Sequence, residues 1–107
     1  MFTIEDKEIT LTRGDTAIID FVINQEFTEG DVCTLAVKKL KIQSHYDMLI
    51  QASYYEGNTC KFYITADDSD ILKGKYYYDI QINFADGRVD TVINNEIFRI
   101  VGEICNE

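Results

Sequence analysis

Between Lys75 and Ile93, apolar residues recur at every second position on both sides of an Asp86-Gly87 pair. This is the feature that most narrows what the chain can become. A helix brings residues three and four apart onto one face, whereas a strand brings together residues two apart. Tyr76, Tyr78, Ile80, Ile82 and Phe84 therefore share one side of a strand, and Tyr77, Asp79, Gln81 and Asn83 share the other. Asp-Gly favours a two-residue hairpin turn, because both central positions need positive φ. With that turn, Ala85 lies opposite Arg88, Phe84 opposite Val89, Ile82 opposite Thr91 and Ile80 opposite Ile93. A slip by one residue would drive Asp79, Gln81 and Asn83 into the interior, at a cost of kilocalories for each unpaired polar group.

The same alternation runs through the rest of the chain. Strands are expected at about 8–12, 16–24, 32–39, 47–54, 59–65, 75–85, 88–93 and 97–102, separated by Gly, Asn and Asp clusters. Ile19, Phe21 and Ile23 form one inward set; Cys33, Leu35 and Val37 another; Met48, Ile50, Ala52 and Tyr54 a third; and Cys60, Phe62 and Ile64 a fourth. Segments that bury one face and wet the other belong to antiparallel sheets packed face to face. With 107 residues, 46% of them hydrophobic, the chain suits one domain spanning 1–107. The fold expected is an all-β antiparallel β-sandwich of about 7–8 strands. Asp67 is expected to cap one short helical turn between sheets, and Asn94-Asn95 to mark a bulge or a change of sheet.

Charge and composition bear on partners. Nineteen acidic residues against ten basic ones leave a net charge of −9, which repels phosphate backbones and anionic membranes and favours a basic protein partner. Nucleic acid and membrane are accordingly not expected as partners. The opening MFTIEDKEITLTRGD lacks the basic-then-apolar order of a secretory signal, so the chain is expected to be made in a cytoplasm. Cys33, Cys60 and Cys105 are widely spaced and odd in number, which indicates neither a disulfide framework nor a zinc site. Cys33 and Cys60 read as small buried hydrophobes and Cys105 as more exposed.

Candidate sites are few. Arg13-Gly14-Asp15 spells a tripeptide recognised by adhesion receptors, but it also falls where two strands need a turn, and the turn is the better reading. Asp67, Asp68 and Asp70 lack the spacing of a calcium loop and are assigned to capping and solvation. The sole imidazole, His45, stands in a polar stretch without a serine or cysteine nucleophile motif nearby, and no catalytic residue, metal or cofactor is expected. Lysines 61, 73 and 75 beside Tyr63 and Tyr77 are a faint version of a stacking surface for nucleic acid, against which the total charge argues. Lysines 38, 39 and 41 are expected to protect a sheet edge. Outward tyrosines are the best functional clue, since exposed tyrosine is enriched at interfaces; Tyr54, Tyr55, Tyr63 and Tyr77 are the candidates. The alternative is ordinary cross-strand packing.

Several motifs taken together resemble a known family. Ile9 to Thr16 (ITLTRGDT) leading into Ile18 to Val22 (IIDFV), then Asp68 to Leu72, Lys73 to Ile80 (KGKYYYDI) and Asp86 to Thr91 (DGRVDT), are similar to the immunoglobulin-like N-terminal domain of phage baseplate upper proteins. Related domains occur in tail and baseplate proteins of phages that infect Gram-positive bacteria. The resemblance implies a non-catalytic virion structural protein, assembled in the host cytoplasm, that docks on other virion proteins and helps hold or space receptor-binding parts. Self-association into a homo-oligomer and a place on the capsid surface as a decoration protein are variants of that expectation. In that family a further segment follows the domain, whereas this chain stops at Glu107. A competing expectation is a carbohydrate-binding or adhesion module whose tyrosines stack on sugars of a bacterial surface.

Overall fold

The computed structural model describes residues 2–41 and 45–102. Among these, nine strands and no helix are found. They are β1 (Phe2–Glu5), β2 (Glu8–Thr12), β3 (Ala17–Val22), β4 (Val32–Lys38), β5 (Met48–Gln51), β6 (Tyr54–Glu56), β7 (Thr59–Ile64), β8 (Gly74–Asn83) and β9 (Val89–Val101). Six of them form one sheet in the order β1-β2-β9-β8-β4-β5, and β3-β7-β6 form the second. The fold is thus an all-β two-layer sandwich, with slightly more strands than the seven or eight expected. It is also not wholly antiparallel, since β2 and β9 run parallel, pairing Ile9 with Phe98 and Thr12 with Val101.

The core forms where the alternating faces meet. Ile9, Leu11, Cys33, Leu35, Val37, Met48, Ile50, Tyr76, Tyr78, Ile80, Ile82, Phe98 and Ile100 come from the large sheet, and Ala17, Ile19, Cys60, Phe62 and Ile64 from the small one. Removing these side chains from water is the main stabilising term for a domain of this kind. β8 is a central strand flanked by β9 and β4, so Tyr76 and Tyr78 lie well inside the sheet. Each buried ring carries a hydroxyl that must find a partner. Tyr76 donates to the Leu72 carbonyl and Tyr78 to the Lys7 carbonyl.

Four details depart from the sequence expectation. The hairpin loop holds three residues, not two: Gly87 N–H donates to Phe84 O, Phe84 N–H donates to Arg88 O, and Gly87 takes φ 98°. That is a type I turn closed by a left-handed residue. The extra loop residue shifts the pairs nearest the tip, so Ile82 meets Asp90 and Gln81 meets Thr91, while Ile80 meets Ile93 as expected. The phase is restored by register shifts along β9, one between Gln81 and Ile80 and one between Ile80 and Tyr78. These let one 13-residue strand replace the two expected at 88–93 and 97–102. Asn95 sits in the second shift at φ 55°, so the chain bulges there without leaving its sheet.

The strand expected at 47–54 is broken. The chain crosses between layers at Ala52 and Ser53, where Ala52 N–H donates to Cys33 O in one sheet and Ser53 N–H to Lys61 O in the other. Tyr54 therefore faces outward from the small sheet instead of continuing the inward set. Between β7 and β8 a single turn forms, closed by Ser69 N–H donating to Thr65 O at 3.2 Å with the four-residue spacing of one helical turn, and its capping residue is Thr65 rather than Asp67. Thr65 N–H donates to Asp68 Oδ2, and Asp68 N–H donates to Thr65 Oγ1, which satisfies two backbone donors reciprocally. Arg13-Gly14-Asp15 is a turn, with Gly14 at φ 83° and Asp15 N–H donating to Thr12 O. Cys105 lies outside the described residues.

Candidate functional site: two tyrosine-bearing faces

The four candidate tyrosines divide among three environments. Tyr54 and Tyr63 stand on the outer face of the small sheet, 42% and 44% exposed. Register places Tyr54 opposite Lys61 and Tyr63 opposite Ile18. Tyr54 and Tyr63 are therefore diagonal neighbours, about 7–8 Å apart at the backbone. Lys61 pairs with Asp20 at 2.8 Å between them, and the Tyr54 hydroxyl donates to Glu56 Oε2 at 3.2 Å. Glu56 also holds the Tyr54 hydroxyl above its ordinary titration range. Ile18 and Val22 complete a partly apolar surface on the edge strand β3.

Tyr55 belongs to the seam between the layers. Its hydroxyl accepts the Cys33 backbone N–H at 2.9 Å, and its ring meets Phe27 edge-on, centre to centre 5.1 Å. An engaged hydroxyl and a half-buried ring make Tyr55 a structural residue, with little left to offer a partner.

Tyr77 lies on the opposite side of the molecule, on the outer face of the large sheet. Lys41 Nζ is 4.8 Å and Lys75 Nζ 5.6 Å from its ring centre, so one ring carries two cations. Close by, Lys39 Nζ lies 4.8 Å from the Tyr76 ring and Lys38 Nζ 5.5 Å from that of Tyr46. Lys73 leads into β8 and runs alongside Gly102 at the end of β9. Five of the ten cationic residues of an acidic chain thus gather at one corner. Beside it a depression lined by Thr34, Ala36, Tyr46, Leu49, Gln81 and Thr91 also holds the Asp79 carboxylate. Such a corner presents ammonium groups over aromatic faces, a setting suited to carboxylates of a protein partner.

The sequence treated these lysines as two unrelated sets, one guarding an edge and one flanking tyrosines. What unites them is the β4–β8 ladder, in which Lys38 pairs with Tyr77 across a separation of almost forty positions. Local pattern carries no signal of that pairing. The alternation on β8 did place Tyr77 outward and Tyr76 inward. Among the described residues, no group of three or more His, Cys, Asp and Glu side chains is arranged to hold a metal ion.

Compared with protein-family models and with curated protein sequences, the chain matches none.

Proposed function

We propose that the chain is a non-catalytic structural protein of a phage virion, a baseplate or tail component that assembles by protein–protein contact and docks through its lysine–tyrosine corner. The observation that carries the docking part is the half-buried ring of Tyr77 on the outer sheet face, with the ammonium groups of Lys41 and Lys75 both over it. Tyrosine supplies the rigid contact area enriched at interface hot spots, and the adjacent ammonium groups supply charge that steers and orients an acidic partner surface. The phage part rests on the resemblance of ITLTRGDT, KGKYYYDI and DGRVDT to the baseplate family. Mass spectrometry of purified virions tests it: the chain is expected in many copies per particle, and its absence from particles would refute the proposal.

A second reading is favoured by a separate observation, the exposed pair Tyr54 and Tyr63 on the small sheet. Two rings on a flat face can stack on successive sugars, with Lys61, Asp20 and Glu56 available for hydroxyl groups. Titration with host wall polysaccharide decides between the readings. Binding that is lost in Tyr54→Ala and Tyr63→Ala would support the carbohydrate module, and no binding at millimolar sugar would remove it.

A further inference from the structure

Cys33 lies on the inner face of the large sheet and Cys60 on the inner face of the small one; both are fully buried and both are free thiols. Two backbone hydrogen bonds and one to a side-chain hydroxyl bring their strands together at one place. Ala52 N–H donates to Cys33 O at 3.0 Å, and the next residue, Ser53, donates to Lys61 O at 3.1 Å. Tyr55, which pairs with Cys60 in the β6–β7 ladder, accepts the Cys33 N–H through its hydroxyl. Neighbouring residues of the crossing segment are therefore bonded to both cysteine strands, which draws the layers together there. Both side chains are fully buried in the same core cluster between the layers.

We infer that Cys33 and Cys60 are a latent inter-sheet disulfide, open in a reducing compartment and closed when the chain folds in the presence of a low-molecular-weight disulfide such as oxidised glutathione. A disulfide asks for Cα atoms within about 7 Å, closer than the roughly 10 Å of ordinarily stacked sheets, and this seam is where the crossing segment ties the two layers together. One cysteine attacks oxidised glutathione and releases one reduced glutathione; the second cysteine attacks the mixed disulfide and releases the other. The two protein thiols lose two electrons and two protons, glutathione gains them, and one S–S bond is exchanged for another. Burial seals both sulfurs in the folded chain, and the Cys60 thiol together with burial holds the Cys33 thiol far above its ordinary range. Closure therefore belongs to folding or to transient opening of the layers.

The full chain carrying Cys105→Ser, so that Cys33 and Cys60 are its only thiols, is unfolded and refolded in a buffer of reduced and oxidised glutathione. The expected product has no titratable thiol, a mass lower by two hydrogens and no glutathione adduct. Its melting temperature is expected to exceed that of the reduced protein by about 10 °C. Folded protein that keeps two free thiols, that carries glutathione, or that melts lower when oxidised would overturn the inference. A control with both Cys33→Ala and Cys60→Ala is expected to melt at one temperature in both buffers; an equal redox shift in that control would also overturn it.

Discussion

The Asp79 carboxylate accepts the Asn95 backbone N–H at 2.7 Å. Asp79 projects from the outer face of β8, and Asn95 is the left-handed residue at the second register shift of β9. The bond satisfies the amide that the shift takes out of the ladder and fixes where the shift occurs.

Removing that acceptor should loosen β9 at one defined point. Asp79→Ala is expected to cost about 1.5–3 kcal/mol, the range for a lost hydrogen bond to a charged group. Asn95→Val should cost a similar amount through its left-handed backbone, whereas Asn95→Gly should be nearly neutral. Chemical denaturation of the three variants checks this, and a harmless Asn95→Val would count against the role given to the bulge.

Asp31 ties the loop before β4 to the hairpin tip, accepting Thr28 N–H at 2.8 Å and Ala85 N–H at 2.9 Å. These two bonds, the Thr28 one first, hold its carboxyl below the usual value of 3.8. A depressed folded value means that the stabilisation is present above pH 3.8 and disappears as pH falls through the lower folded value. Asp31→Ala is expected to cost about 2 kcal/mol at neutral pH, and the gap from the parent chain should narrow in acid below that point. A gap that stays constant down to pH 2 would show that the charged carboxylate is not the stabilising species.

Tyr78 sets the alkaline limit. Burial, and after it the nearby Glu96, pushes its hydroxyl up to about 12 from an ordinary 10. With the folded value raised, the contribution is complete below pH 10 and is lost as pH climbs from 10 to about 12. A rise of that size corresponds to roughly 2–3 kcal/mol of preference for the protonated phenol. Tyr78→Phe is expected to lose about 1 kcal/mol at neutral pH with the Lys7 bond, and to flatten the alkaline fall. Denaturation midpoints between pH 9 and 12 provide the measurement.

The proposed docking corner separates from stability by design. Lys41→Glu with Lys75→Glu removes both cations from Tyr77 without touching the core, so unfolding free energy should change by less than about 0.5 kcal/mol for each substitution. Incorporation of the tagged double variant into virions is expected to fall about tenfold or more, while Tyr54→Ala with Tyr63→Ala leaves it unchanged. The reverse pattern would transfer the interface to the small sheet.

Which parts of the molecule were legible beforehand follows from how far each signal travels along the chain. The inward sets Cys33-Leu35-Val37 and Cys60-Phe62-Ile64 are fully or almost fully buried, because period-two alternation is local and burial enforces it. β1 was not foreseen: it is an edge strand with no fully buried residue, and it turns into β2 through Asp6 and Lys7, both at positive φ without a glycine. The break at Ala52-Ser53 was hidden for the opposite reason, since the apolar run continues across it while the chain changes layer. The parallel neighbourship of β2 and β9, the placing of Cys33 and Cys60 in one core cluster and the gathering of lysines around Tyr77 all depend on strand order. No window of sequence contains that information.

Three tyrosines, at 55, 76 and 78, each fix a hydroxyl to a single backbone group while their rings fill space between or within the layers. Apolar contacts alone tolerate small sliding motions, because one methyl is much like another to its neighbours. A phenol bonded to one named amide or carbonyl does not. The three hydroxyls act as dowels, and a chain with phenylalanine at all of them would keep its volume yet is expected to sample more than one alignment. Broadened amide resonances on the microsecond-to-millisecond scale along β4 and β8 would report that wandering.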